Sequence, residues 1–137
     1  MDRRDAGIEH GTTLRILVVD DERNILEVIG TFLESEGYEV ITAESGASLL
    51  THLEEDDPHI ILLDIRMPDI DGIQCLRQIK EKYKTVEVVM MSGFATLQMA
   101  RKSLDIGAFD YLRKPISFAH LKEVIEHIKI TKFLELM

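Results

Sequence analysis

Cysteine is nearly absent from this chain: Cys75 is the only one in 137 residues, so no internal disulfide can form. That favours a fold held by its apolar core and a reducing, cytoplasmic compartment. Long apolar runs are missing too, and no stretch approaches the roughly 18 residues of a membrane span. The opening segment, Met1–Thr13, carries charges but no apolar core, so it is no signal peptide. It reads as a flexible polar tail, residues 1–13, ahead of one domain over residues 14–134. Positive charge is scarce: 16 Lys and Arg face 25 Asp and Glu, a net charge of −9. Phosphate-backbone binding needs a basic face, so a direct nucleic-acid partner is not expected. Repeats, low-complexity tracts and internal linkers are also lacking.

What is present alternates regularly. Arg15–Val19 is a short continuous apolar run, as in a central parallel strand. A helix follows, with a predicted core stripe at Ile25, Val28, Ile29, Phe32 and Leu33 and Gly37 as its stop. Tyr38–Ala43 reads as a second strand nearer an edge. Ser45 caps a helix with apolar positions at Ala47, Leu49, Leu50 and Leu53, and Asp57-Pro58 breaks it. Ile60–Leu63 is the next strand, ended by Asp64. A turn over Met67–Gly72 leads to a stripe at Ile73, Leu76, Ile79 and Tyr83. Glu87–Met91 is a fourth strand, and Thr96 caps a helix through Asp105 with Gly107 as its stop. Phe109–Leu112 is a short fifth strand, and Ser117 caps a last helix striped by Leu121, Val124, Ile125 and Ile128. Short right-handed connections between five such units build an α/β fold: a doubly wound, five-stranded parallel sheet with helices on both faces.

In such a sheet all strand carboxyl ends point to one edge, where ligands bind. The first strand brings Asp20 and Asp21 there, the third Asp64, the fourth Ser92, and the fifth is followed by Lys114. The second strand adds Glu44, the least favoured member. Like charges that close require a cation, supplied by a metal, by a lysine or by both. Oxygen ligands without His or Cys favour a hard cation, Mg²⁺ above all, with Mn²⁺ as a substitute. Asp64 is then available as a nucleophile toward phosphorus, with Lys114 and Ser92 binding the phosphoryl oxygens. Each feature has a plainer reading taken alone. Asp20-Asp21 suits helix capping, Met67-Pro68-Asp69 a simple turn, and Lys114 a solvated cation. Independent loops would not, however, place all four groups after the right strands. Cys75, beside Leu76 on a helical stripe, reads as inert packing. The histidines show no metal spacing beyond His120 and His127, seven residues apart.

The pieces Val18–Glu22 (VVDDE), Leu62–Gly72 (LLDIRMPDIDG), Met91–Gly93 (MSG) and Gly107–Pro115 (GAFDYLRKP) stand in order ahead of a final helix. Together they resemble the receiver domain of two-component response regulators, over roughly Leu14 to Phe133. The resemblance implies the flavodoxin-like strand order 2-1-3-4-5. It implies Asp64 as phosphoacceptor for a sensor histidine kinase or phosphotransfer protein. Asp21 would be a direct Mg²⁺ ligand, Asp20 an assisting one, and the Arg66 backbone carbonyl a further one. It also implies that Ser92 and Tyr111 form a switch biasing the surface of the fourth helix, fifth strand and fifth helix, and that Lys114-Pro115 is cis. Two lifetime-tuning positions, two residues after Asp64 and two after Ser92, hold Arg66 and Phe94. Neither readily orients an attacking water, so slow self-dephosphorylation is expected. Downstream, a protein target or effector domain and a homodimer through that surface are the implied partners.

Three other functions compete. A haloacid dehalogenase-like hydrolase would need its nucleophile in a DxD arrangement after the first strand. A flavin module would need a Ser/Thr/Gly-rich phosphate loop where Asp20 and Asp21 stand. A receiver used only as a non-phosphorylated interaction domain would not need all these groups.

Overall fold

A computed structural model of the protein describes residues 13–93 and 96–134, so residues 1–12 of the tail and Phe94 lie outside the described part. The described residues form five strands and five helices in strict alternation. Arg15–Val19 (β1), Ile60–Asp64 (β3) and Glu87–Ser92 (β4) are buried along their whole length. Burial on both faces is what their continuous apolar sequences require. Glu39–Ala43 (β2) and Asp110–Arg113 (β5) are partly exposed and lie at the two edges. All pairings are parallel and the order is β2-β1-β3-β4-β5. This is the doubly wound order expected above.

The period-2 alternation of each central strand divides the interior into two cores. Ile16, Val18, Ile60, Leu62, Val89 and Met91 face one side. There they meet helix Arg23–Ser35 (α1) and helix Phe118–Lys132 (α5), whose Leu121, Val124, Ile125 and Ile128 are all buried. Leu17, Val19, Ile61, Leu63, Val88 and Met90 face the other side. Helices Gly46–Asp56 (α2), Gly72–Lys82 (α3) and Leu97–Ile106 (α4) lie there.

The helix ends follow local chemistry. Ser45, Thr96 and Ser117 accept hydrogen bonds from the backbone N–H groups of Ser48, Met99 and His120, at 3.1, 3.1 and 3.2 Å. Gly37, at φ +93°, closes α1: the Tyr38 N–H donates to the Leu33 carbonyl and the Gly37 N–H to that of Glu34.

Several expectations need correction. On α1 the core is built from Leu26, Ile29, Gly30 and Leu33, while Val28 is 56% exposed. The run Ile25-Leu26 with Val28-Ile29 fits two neighbouring stripes, and packing on the sheet selects the one through Leu26. Ala47 and Leu50 on α2 are likewise exposed, because only Leu49 and Leu53 point at the sheet. The second strand starts at Glu39, one residue later than read, because Tyr38 belongs to the turn that closes α1. The fifth strand runs one residue later too, since Phe109 bonds to Val88 before the Val89–Asp110 pairing begins.

Candidate functional site

The strand register sets the site. Val19 pairs with both Ala43 and Leu63, so Asp20 and Asp64 emerge together at the carboxyl edge. Asp64 pairs with Met91 one strand over, and Ser92 pairs with Arg113. The Lys114 N–H donates to the Ser92 carbonyl at 2.9 Å, which ties the end of β5 to that of β4. The Lys114–Pro115 peptide is cis.

Asp20, Asp21 and Asp64 each present a carboxylate oxygen within 4.8 Å of the others. Asp20 is fully buried, Asp64 is 4% exposed, and Asp21 is open to solvent. The Glu22 N–H donates to Asp20 Oδ1 at 2.9 Å and holds that side chain at the start of α1. Lys114 Nζ lies 2.5 Å from Asp20 Oδ2 and 3.4 Å from Asp64 Oδ2. The Arg66 N–H donates to Asp64 Oδ1 at 3.3 Å. Ser92 is buried one strand away.

Three carboxylates face one ammonium here, which leaves two negative charges uncompensated. The electrostatics reflect that. Burial raises the Asp64 pKa, and the Asp20 charge raises it further, against the opposing pull of Lys114 and the Arg66 N–H. Burial alone would lower the Lys114 pKa, but the Asp20 and Asp64 carboxylates outweigh it and hold the ammonium charged. A divalent cation would balance the remaining charge. Oxygen-only donors, one of them solvent-facing, suit a hard ion such as Mg²⁺ that keeps part of its water shell.

The loop that carries Asp64 into α3 is tightly built. A Cβ at Gly72 would lie 2.5 Å from Ile65 Cα and 2.7 Å from the backbone oxygens of Asp64 and Ile65. Only glycine permits that approach, and the Gly72 N–H uses it to donate to Ile65 O at 2.8 Å. Asp71 caps α3 through the Ile73 N–H at 2.7 Å. Asp69 reaches across to α2, accepting from the Gly46 and Ala47 N–H groups at 3.0 and 3.1 Å. Those two donors hold its carboxyl below the usual range. The sequence marks this stretch only as a turn; a partner 23 residues away leaves no local signal.

The remaining candidates separate. Glu44 pairs with Arg23 at 3.1 Å on the surface and stands apart from the carboxylate cluster. Tyr111 is half-buried, and its hydroxyl has no hydrogen-bond partner among the described residues. Burial raises its pKa, although Ser92 lies near enough to offset a little of that effect. Cys75 is buried, and burial followed by the Asp69 charge pushes its thiol up to about 11, so it is no nucleophile at neutral pH. His127 packs edge-on against Phe109, and no histidine joins a metal-like cluster among the described residues. No helix among the described residues is long and apolar enough to cross a membrane.

A doubly wound sheet with an acid cluster and a lysine at its carboxyl edge belongs to the open α/β domains that bind ligands at that edge. Comparison with known proteins narrows the class. The sequence model of the response regulator receiver domain matches residues 16–126. The chain is 34% identical over 112 residues to the regulatory protein AtoC of Escherichia coli, covering 82% of this chain and 24% of that protein. It is 38% identical over 120 residues to a protein-glutamate methylesterase/protein-glutamine glutaminase of Trichodesmium erythraeum, covering 84% and 34%. A solved receiver domain protein from Methanospirillum hungatei superposes with a TM-score of 0.85 at 32% identity, covering 90% of this chain and 98% of that one. This chain therefore belongs to the response regulator receiver domain family of two-component signalling. It spans about a quarter of the length of the first of these curated relatives and about a third of the second.

Proposed function

We propose that this domain is a phosphorylation-activated switch in which Asp64 carries the phosphoryl group. The observation that carries this reading is the buried Asp20–Lys114–Asp64 arrangement, which together with the solvent-facing Asp21 leaves two negative charges uncompensated. An Asp64 oxygen attacks the phosphorus of a phosphohistidine on a sensor kinase or phosphotransfer protein. The P–N bond breaks with its electron pair going to the ring nitrogen, the imidazole leaves neutral because its other nitrogen carries a proton taken from solvent, and an acyl phosphate remains on Asp64. Asp20, Asp21, Asp64 and the Arg66 carbonyl would hold Mg²⁺ or Mn²⁺. When bound, the ion neutralises charge on the acids and on the transferring oxygens. Lys114 supplies a fixed positive charge to one phosphoryl oxygen, and the Ser92 hydroxyl donates a hydrogen bond to another.

Ser92 then moves toward the phosphoryl group. Tyr111, whose buried hydroxyl lacks a partner in the described state, follows into the vacated space. That step biases the surface of α4, β5 and α5, where a downstream protein, an effector domain or a second copy binds. Relatives named as a transcriptional regulatory protein and as a protein-glutamate methylesterase support a reading in which the switch is coupled to a separate output. A cytoplasmic setting fits the reading, since kinase phosphohistidines and Mg²⁺ are found there.

The test is transfer of labelled phosphate from a phosphorylated histidine kinase. The label should move to the wild-type chain, be released by hydroxylamine as an acyl phosphate is, and fail to reach Asp64→Asn. Label that resists hydroxylamine, or that still reaches Asp64→Asn, overturns the assignment.

A further inference from the structure

Charge is divided unevenly along this chain, and the fold turns that division into geometry. Between residues 13 and 65 there are 13 Asp and Glu but 2 Lys and Arg; between residues 66 and 134 there are 8 and 12. The strand order places β2, β1 and β3 on one side of the sheet and β4 and β5 on the other. An acidic protein thus carries one basic flank. On that flank α3 packs beside α4, and the seam between them holds two depressions. One, of about 680 Å³, begins at Asp21 and Arg66, passes Asp71 and is bordered by Lys102. The other, of about 420 Å³, is lined by Arg77, Lys80, Lys84, Glu81 and Ile106, three cations to one acid.

Helical spacing explains why these side chains share a seam. Met99, Lys102 and Ile106 fall at i, i+3 and i+7 and turn one face of α4 toward α3. Ile73 and Arg77, four apart on α3, line the two depressions in turn. Lys80 is anchored, donating to the Val86 carbonyl at 3.0 Å. Arg77, Lys84 and Lys102 are exposed and make no ion pair among the described residues. Cations left unpaired in a protein of net charge −9 are not needed to balance the fold.

We propose that this seam docks an acidic segment of a partner protein, one whose acids are interspersed with apolar side chains. Charge complementarity selects the acids. Met99, Ile106 and Ile73 offer adaptable apolar contacts between the cations. A duplex nucleic acid fits poorly: it carries a charge about every 1.7 Å along a rigid rod, more than these few cations can neutralise, and its length would carry it over the acidic flank.

The experiment is fluorescence anisotropy on the full chain. The probe is a short fluorescein-labelled peptide in which pairs of Glu alternate with Leu; the reference has Gln in place of Glu. Neutralising Arg77, Lys84 and Lys102 together to Gln should weaken binding of the Glu peptide about tenfold, since exposed charges contribute modestly each. Neutralising Arg23, Lys122 and Lys132 instead should leave it unchanged. Added salt should weaken binding to the wild type and the Gln peptide should not bind. Amide NMR shifts on adding the Glu peptide should centre on α3 and α4 and verify that each variant is folded. No binding by the wild type, equal binding by both triple variants, or tighter binding of a labelled oligonucleotide overturns the proposal. So does concentration-dependent self-association lost on neutralising the seam, which would make a second copy its occupant.

Discussion

Replacing Lys114 by Met removes the ammonium while keeping most of the side chain's length, and tests the charge balance of the site directly. Asp20 is fully buried, and its only cationic partner among the described residues is Lys114 Nζ at 2.5 Å. Asp64, 3.4 Å from the same nitrogen, loses its partner too. Leaving one member of a buried ion pair costs about 3–5 kcal/mol. The solvent-facing Asp21 admits water and Asp64 can take up a proton, so a loss near the lower end, about 3 kcal/mol, is expected at about pH 7.5 in metal-free buffer.

The pH dependence follows from Asp64. Its folded pKa already lies above the ordinary carboxylate value, because of burial and then Asp20. The folded state therefore holds a proton that the unfolded state releases, and the ionised form weighs against folding at neutral pH. As pH falls through the folded pKa, the native state binds that proton and this cost is relieved. Without Lys114 the pKa rises further. Urea unfolding of Lys114→Met and wild type with EDTA, at about pH 7.5 and about pH 5, should show the gap narrowing at acid pH. Adding Asp64→Asn to Lys114→Met should restore part of the stability at neutral pH. A gap below about 0.5 kcal/mol, or one that widens at acid pH, refutes the reasoning.

Three further outcomes are expected. Gly72→Ala drives a Cβ into the backbone of Asp64 and Ile65, which cannot retreat as a side-chain end could; a loss of about 3 kcal/mol or more in chemical denaturation, with impaired phosphate uptake, checks it. Tyr111→Phe removes a buried hydroxyl that lacks a described partner, so the unphosphorylated protein should be as stable or more stable by up to about 1 kcal/mol, read as a shift in thermal midpoint. The resemblance to receivers implies that Arg66 and Phe94 tune the lifetime of the acyl phosphate, and on that reading the isolated phosphoprotein should lose its label slowly. Arg66→Asn, which supplies an amide to orient water, should shorten the half-life, and a wild-type half-life of only seconds contradicts the expectation.

The sequence made the fold legible where burial was complete. β1, β3 and β4 are apolar because both faces are covered, and their ends carry Asp20, Asp64 and Ser92 to one edge. Legibility failed where two helical stripes competed, as on α1, where Val28 was read as core and Leu26 passed over. Only packing against the sheet separates such neighbours. It failed again for contacts distant in sequence: Asp69 capping α2, and Arg15, whose buried guanidinium donates to the Asp56 and Asp57 carbonyls at the end of the same helix. Gly72 appeared as one more turn residue, although its hydrogen fits where no side chain can. The pairing of Lys114 with Asp20, closer than with Asp64, also emerges only in three dimensions.

The most direct measurement is intact mass after incubation with a small phosphodonor and Mg²⁺. A phosphate carrier at Asp64 predicts the gain of one phosphoryl group by the wild type, abolished in Asp64→Asn and when EDTA replaces the metal. An unchanged wild-type mass in the folded, metal-loaded protein, or a gain that survives in Asp64→Asn, would contradict it.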